Sequence, residues 1–167
     1  TDLDYTIVFD SVLDSATEAL IEAVRRRARF VIVTARSLEE CAPLPPIPSD
    51  GLVAENGAAV YLRQDGREVL DPDWDRLMAP YQAALDELEG QLRGQGWRVH
   101  HKLRAFSAGV ERSGKSAQDV QWVRERLPEG LQLQLSRNTA GAYLEVFPVI
   151  AGKDRAVYRV CEDVGAE

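Results

Sequence analysis

The stretch Asp2-Leu3-Asp4-Tyr5-Thr6 sets two carboxylates two residues apart, with a hydroxyl two residues further on. In an extended chain, side chains at positions i and i+2 point to the same side, so the two acids would face one small volume. Two carboxylates that converge need a cation or a proton-transfer task to stabilise them. Mg²⁺ typically binds through one or two carboxylates and the phosphate oxygens of a substrate. The stretch therefore predicts either a site for phosphoryl chemistry or, as the simpler alternative, an acidic N-terminal turn.

A strand, a helix and a second strand are predicted after the acidic stretch. Residues 6–9 are apolar and β-branched, which predicts either a short strand or the apolar continuation of the first loop. Residues 16–28 have the spacing of an amphipathic helix, and residues 30–33 form the continuous apolar run of a buried parallel strand. Because the functional groups of a βαβ unit lie at the carboxyl ends of its strands, we expect Thr34 and Arg36 beside the two acids.

The remaining sequence predicts a hairpin and then a second structural layer. Residues 41–48 hold four of the eight prolines and predict a loop. Asn56-Gly57 lies between strand candidates over 51–54 and 59–62 and predicts a hairpin turn. The later elements predicted from periodicity are a helix over 72–92, one strand over 97–108, a helix over 116–127, strands over 131–135 and 142–149, and a final helix from Gly152. Elements in this order are typical of an α+β layer with an antiparallel sheet, inserted into the first layer.

The composition is that of a globular chain with reduced cysteines. The 167 residues are 45% hydrophobic, and a formal net charge of −7 argues against a nucleic-acid partner, which calls for a basic face. Cys41 and Cys161 are too few for a disulfide framework and too far apart for a metal knuckle. No apolar run reaches membrane-spanning length and no signal-peptide pattern is found. The default expectation is a cytoplasmic protein without a membrane partner, and the oligomeric state is left open.

Four short motifs follow one another in a characteristic order. They are Asp2-Leu3-Asp4-Tyr5-Thr6, Val33-Thr34-Ala35-Arg36-Ser37, Glu55-Asn56-Gly57-Ala58 and Gly152-Lys153. In order and spacing they resemble the haloacid dehalogenase (HAD) superfamily, and within it the phosphatases with a large (C2B-type) α+β cap: the sucrose-phosphatase, mannosyl-3-phosphoglycerate phosphatase and Cof-type branch. The resemblance implies an α/β fold, with a HAD-like Rossmannoid parallel-sheet core and an inserted α+β cap domain. Residues 1–71 and 150–167 are then expected to form the core and residues 72–149 the cap.

The same resemblance implies a Mg²⁺-dependent phosphatase that acts on a small phosphorylated metabolite, in particular a sugar phosphate. Asp2 would be the nucleophile that forms an aspartyl-phosphate, and Asp4 would protonate the leaving alcohol and then activate water. Thr34 and Lys153 would hold the phosphoryl group. The Asp2 side chain and the Asp4 main-chain carbonyl would bind Mg²⁺. The implied substrate contacts are Thr6, Arg36 and Asn56, with a structural turn role for Asn56 as the alternative.

Three features differ from the family pattern. Tyr5 stands where a glycine usually follows the second aspartate. The strand expected before Asp2 and the acidic motif expected after Lys153 are not part of the sequence. Either these segments belong to a longer chain, or the protein is a degenerate member of the superfamily that binds a ligand or partner without hydrolysing it.

Two other stretches offer competing interpretations. A nucleophile at Asp10 would have a strand before it, but no second acid would follow two residues later, so Asp2 is preferred. Residues 109–116, the P-loop-like stretch, match the pattern G-x-x-x-x-G-K-[ST] between a predicted strand and a predicted helix. Glu111 would project an acid into a loop meant for phosphates, and no later strand ends in an acid that could help to bind Mg²⁺. Nucleotide binding is therefore the weaker alternative.

Overall fold

The computed structural model describes residues 2–4, 6–8, 12–138 and 141–163. Their regular elements, in chain order, are α1 (Ser15–Arg25), β1 (Val31–Val33), α2 (Leu38–Cys41), β2 (Gly51–Ala54), β3 (Ala59–Gln64), β4 (Arg67–Leu70), α3 (Pro72–Met78), α4 (Gln82–Gly94), β5 (Val99–His101), β6 (Phe106–Gly109), α5 (Ala117–Arg124), β7 (Leu131–Asn138), β8 (Gly141–Pro148) and α6 (Lys153–Asp163), with short 3₁₀ turns at Glu55–Gly57 and Ala79–Tyr81. The chain divides into two compact units, Thr1–Asp75 with Ala151–Glu167, and Arg76–Ile150. None of the helices in the described ranges is long and apolar enough to cross a membrane.

The first unit is built on a four-stranded mixed sheet in the order β1-β2-β3-β4. β1 and β2 are parallel, and Val31 lies opposite Gly51 and Val33 opposite Val53. The pairs β2–β3 and β3–β4 are antiparallel hairpins. Every residue of β2 is buried, as is usual for a strand covered on both faces. The core of this unit combines the N-terminal stretch, α1 and the sheet, and it includes Leu3, Ile7, Val8, Ile21, Ile32, Leu52 and Tyr61.

The second unit has its own antiparallel sheet in the order β5-β6-β8-β7. The leucines of α4 and the valines of α5 pack with apolar residues of the strands in one hydrophobic core. Leu131 and Leu133 of β7 belong to this core or pack against it. The intervening Gln132 and Gln134 alternate with them, which is the period expected of a half-buried strand.

The predicted fold class is confirmed, since one sheet contains a parallel pair and the other is separate and antiparallel. Two predicted elements differ in detail. The predicted helix over 72–92 is divided by a 3₁₀ turn around Pro80, which has no N–H to donate and restricts the residue before it. The predicted single strand over 97–108 is a hairpin, whose turn is closed by a 2.9 Å hydrogen bond from the Lys102 N–H to the Ala105 carbonyl.

Residues 6–8, which follow the acidic stretch, form a turn. The Ile7 and Val8 N–H groups both donate to the Leu3 carbonyl at 3.0 Å. The loop interpretation of these residues therefore describes them better than the strand interpretation. Phe9 lies outside the described residues.

Candidate active site

The acidic stretch lies beside β1, whose carboxyl end it meets. Asp2 forms a parallel bridge with Val33, and the Leu3 N–H donates to the Val33 carbonyl at 3.1 Å. Leu3 is buried in the core of the first unit, so it anchors the chain between the two acids. One oxygen of Asp2, Oδ1, accepts a hydrogen bond from the Leu3 N–H at 2.8 Å, which fixes the carboxylate over its own backbone.

Lys153 reaches Asp2 from the other end of the sequence. The Nζ of Lys153 lies 3.3 Å from Oδ2 of Asp2, although 151 residues separate the two. The side chains are 39% and 53% exposed, and an ion pair this exposed contributes only about 0.2–1 kcal/mol to stability. The pair lines a cavity of about 500 Å³ whose other walls are Val33, Asp154, Val157 and Tyr158. An ammonium and a carboxylate facing such a cavity are accessible to a ligand.

Arg36 holds the second acid. Its Nε lies 3.0 Å from Oδ1 and 3.1 Å from Oδ2 of Asp4, and its Nη2 lies 2.5 Å from Oδ1. The hydrogen bonds to Asp4 raise the pKa of Arg36 above its ordinary value. The sequence predicted Arg36 near the acids but with a substrate as its partner. The position of a cation after β1, opposite two carboxylates, is a signal from which the ion pair could have been predicted.

Thr34 is a structural link between β1 and Arg36. Its N–H donates to the Val53 carbonyl at 2.8 Å, and its Oγ1 accepts the Arg36 N–H at 3.1 Å. Thr34 has no exposed surface. Contact between its hydroxyl and a phosphoryl group therefore requires a local rearrangement.

The third motif forms a left-handed turn. Glu55, Asn56 and Gly57 have φ angles of 53°, 57° and 93°, a region that favours glycine and tolerates asparagine. The Glu55 N–H donates to the Arg36 carbonyl at 3.0 Å, and the Asn56 N–H donates to the Thr34 carbonyl at 3.1 Å. The turn is thus tied to the segment after β1. Asn56 is buried, which favours the turn role over a direct substrate contact.

The remaining predicted positions contribute less to the arrangement. Thr6 lies in a turn and is exposed. Asp10, the competing nucleophile, lies outside the described residues. Of the predicted site residues, the structure brings Asp2 together with Lys153, and Asp4 together with Arg36.

The P-loop-like stretch has other partners than a phosphate. The Nζ of Lys115 donates to the Gln95 carbonyl at 2.8 Å and lies 5.5 Å from the ring centroid of Trp97. Ser116 caps α5, and its N–H donates to Oδ2 of Asp119 at 2.6 Å in a capping box. Since an acid already binds the N-terminus of this helix, the arrangement does not favour a nucleotide.

The site offers few carboxylates for a metal ion. In the four described ranges of the chain, no three His, Cys, Asp or Glu side chains are grouped so that they could hold a metal ion. Of the two acids at the site, Asp4 pairs with Arg36, and Asp2 pairs with Lys153. Mg²⁺ commonly takes one or two protein carboxylates and completes its coordination with water and substrate phosphate. The donor set therefore fits Mg²⁺ at the lower limit of protein ligands.

The fold of the chain is that of known phosphatases. By sequence, the chain matches no protein-family model and no curated protein. It is similar to the structure of the sucrose-phosphatase from Synechocystis sp. PCC6803 in complex with sucrose and phosphate, with a TM-score of 0.68 and 19% identity, over 99% of this chain and 69% of that chain.

Two further structures have the same fold. A haloacid dehalogenase-like hydrolase from B. subtilis has a TM-score of 0.65 and 14% identity, over 99% of this chain and 78% of that chain. A trehalose-6-phosphate phosphatase related protein has a TM-score of 0.57 and 18% identity, over 97% of this chain and 72% of that chain. The predicted resemblance to HAD-superfamily phosphatases is therefore confirmed at the level of the fold, which is what identities this low establish.

Proposed function

We propose that the protein is a Mg²⁺-dependent phosphatase that hydrolyses a small phosphorylated metabolite, in particular a sugar phosphate, through an aspartyl-phosphate on Asp2. The observation that carries the proposal is the 3.3 Å distance between Asp2 and Lys153. A lysine at this distance offsets charge beside the nucleophile and attracts phosphoryl oxygens. The fold, shared with phosphatases of the HAD superfamily, supports the same class of reaction.

The reaction proceeds in two half-reactions. In the first, an Asp2 carboxylate oxygen attacks phosphorus, the bond from phosphorus to the alcohol oxygen breaks, and protonated Asp4 gives its proton to that oxygen. In the second, the Asp4 carboxylate takes a proton from water as the water oxygen attacks phosphorus. The bond to Asp2 then breaks, which releases inorganic phosphate and restores both acids. Lys153 binds the phosphoryl oxygens throughout, and the Thr34 hydroxyl joins it once a local rearrangement has exposed that buried side chain.

Arg36 has to release Asp4 before Asp4 can exchange protons with substrate and water. We assign the close Arg36–Asp4 pair to the ligand-free state. The phosphate of a substrate is a competing partner for the guanidinium, because arginine binds phosphate and carboxylate by the same two-pronged geometry. With substrate bound, Arg36 and the exposed Thr6 would contact it, while Asn56 would keep its turn role.

The proposed metal site uses the same acids. The Asp2 side chain and the Asp4 main-chain carbonyl would hold Mg²⁺, which when bound neutralises charge on the phosphoryl oxygens. Lys153, which contacts Asp2, would supply a further positive charge to the phosphoryl oxygens.

The sugar-phosphate assignment is supported by the neighbours of the fold. One neighbouring structure contains sucrose and phosphate, and another is named as related to a trehalose-6-phosphate phosphatase. We assign residues 72–149, most of which lie in the compact unit Arg76–Ile150, as the cap that would select the substrate. The absence of nucleic-acid and membrane partners stays a prediction from the sequence.

Phosphate release tests the proposal. The purified chain is incubated with Mg²⁺ and either p-nitrophenyl phosphate or a panel of sugar phosphates, and inorganic phosphate is measured. We expect release that Asp2→Asn abolishes. The matched control is Asp65→Asn, which removes the same charge from an exposed turn between β3 and β4. Wild-type chain without release from any substrate would contradict the proposal.

A non-hydrolysing binding protein is the second candidate. The observations that favour it are the hold of Arg36 on Asp4 and the complete burial of Thr34. A binding protein would bind phosphorylated ligands with an affinity that Asp2→Asn leaves unchanged or raises. Isothermal titration calorimetry with inorganic phosphate, run beside the release assay, separates the two candidates.

A further inference from the structure

The helix that begins with Lys153, α6, carries another cation, Arg159, in its C-terminal half. Arg159 of α6 donates from Nε to Oδ2 of Asp71 at 2.6 Å and from Nη2 to Oδ1 at 3.4 Å. The side chain of Asp71 is 1% exposed. Three further carboxylates lie 3.2–4.0 Å from the guanidinium: Asp73, Glu162 and Asp163. Asp71 is the buried one and meets the guanidinium with both of its oxygens.

Asp71 is itself firmly fixed to the first unit. Its N–H donates to the Val60 carbonyl of β3 at 2.9 Å. Its Oδ1 accepts the N–H groups of Asp73 at 2.9 Å and Trp74 at 3.3 Å, so it caps the start of α3. Burial by itself raises the pKa of Asp71, but the hydrogen bonds from Arg159 and from the α3 backbone outweigh burial and lower it. Asp71 is therefore charged and is linked by hydrogen bonds to β3, α3 and α6.

A second contact fixes the Lys153 end of the same helix. A Cβ on Gly57 would lie 2.4 Å from the Gly152 carbonyl oxygen, so the two backbones are in direct contact. That oxygen accepts the Ala156 N–H at 3.0 Å in the first turn of α6. The Gly57 carbonyl in turn accepts Nε1–H of Trp74 at 3.2 Å. The left-handed turn of the third motif is thus packed against the residue that precedes Lys153.

We infer that the Asp71–Arg159 ion pair and the Gly57–Gly152 contact, together called the α6 clamp, position the Lys153 ammonium against Asp2 for phosphoryl transfer. Arg159 is then a positioning residue that acts through Lys153. This inference rests on the proposed function. The Lys153–Asp2 pair cannot set the helix position by itself, since exposed ion pairs are weak and Lys153 has a long flexible stem.

A double-mutant cycle tests the inference. Four full-length chains are compared with p-nitrophenyl phosphate and Mg²⁺: wild type, Arg159→Met, Lys153→Met and the double variant. We expect Arg159→Met to lower kcat/KM by about tenfold to a hundredfold, the scale of a misplaced catalytic group. In the Lys153→Met background the same change should have little further effect, because the residue it positions is gone.

Two more variants separate positioning from folding. Arg159→Lys keeps the charge but loses the two-pronged geometry, so it should recover part of the activity and fold even where Arg159→Met does not. Arg63→Met is the matched control, because Arg63 forms a 2.5 Å pair with Glu68 across the β3–β4 hairpin. It should leave kcat/KM unchanged. Inorganic phosphate binding, measured by calorimetry, should show the same coupling between Arg159 and Lys153.

The outcomes are distinguishable. An active wild type in which Arg159 and Lys153 act additively, on turnover and on phosphate binding, overturns the positioning role and leaves the proposed function intact. A wild type that neither releases nor binds phosphate overturns the proposed function and the positioning role with it. Coupling in either readout, with Arg63→Met unaffected, supports the α6 clamp.

Discussion

Replacement of Gly57 by alanine probes the contact at the Lys153 end of α6. Gly57 has a φ of 93°, and an added Cβ would lie 2.4 Å from the carbonyl oxygen and 2.5 Å from the carbonyl carbon of Gly152. A left-handed conformation costs a residue with a side chain about 1–2 kcal/mol. A forced overlap in a packed region costs about 1–3 kcal/mol more. We therefore expect Gly57→Ala to lower the free energy of unfolding by about 2–5 kcal/mol.

Gly66→Ala is the matched control for this prediction. Gly66 also has a positive φ, 75°, but an added Cβ would meet no atom within 4 Å. Gly66→Ala should lower the free energy of unfolding only by the cost of the left-handed conformation, about 1–2 kcal/mol. Urea unfolding followed by circular dichroism gives both free energies, and calorimetry with inorganic phosphate should show weaker binding for Gly57→Ala alone. Equal destabilisation of the two variants would refute the contact between Gly57 and Gly152.

Three further predictions concern the anchor of the α6 clamp and the P-loop-like stretch. Asp71→Asn should lower the free energy of unfolding by about 3 kcal/mol, because it leaves Arg159 without its buried partner. A loss below about 0.5 kcal/mol in urea unfolding would contradict this, since it would show that the pair contributes no more than an exposed ion pair does, about 0–1 kcal/mol. Since the pKa of Asp71 is lowered in the folded chain, its stabilisation is complete above the unfolded value of about 3.9 and is lost as the pH falls through the folded pKa. The difference in the free energy of unfolding between wild type and Asp71→Asn should therefore shrink in acid. A difference that grows in acid would contradict a lowered pKa of Asp71 in the folded chain. ATP should not raise the melting temperature of the wild type, because Lys115 is bound to Gln95 and Trp97; a rise that Lys115→Met removes would restore the nucleotide alternative.

Local sequence patterns account for much of the first unit. The apolar runs predicted as strands over 30–33 and 51–54 correspond to β1 and β2, because a strand buried on both faces has to be apolar throughout. The Asn56-Gly57 signal correctly located the turn between β2 and β3. The break at Pro80, in the second unit, was missed, because the predicted helix continued through a residue that has no N–H to donate.

Contacts between distant residues could not be derived from local pattern. No spacing rule connects Arg159 with Asp71, which lie 88 residues apart. The proximity of Lys153 and Asp2 was implied by the resemblance of the four motifs to the HAD superfamily, since neither residue alone distinguishes a catalytic side chain from a solvated one. The ion pair between Arg36 and Asp4 was missed because the sequence analysis assigned both side chains to the substrate.

Detection of the phosphorylated intermediate tests the central claim most directly. The wild-type chain is mixed with substrate and Mg²⁺, quenched in acid within the first turnover, digested and analysed by mass spectrometry. We predict one added phosphoryl group on Asp2, retained longer in the Asp4→Asn variant because water is not activated, and reduced in Lys153→Met. Phosphate release from a wild type that carries the phosphoryl group on another residue, or on none, would contradict the meeting of Asp2 and Lys153 around one phosphorus atom.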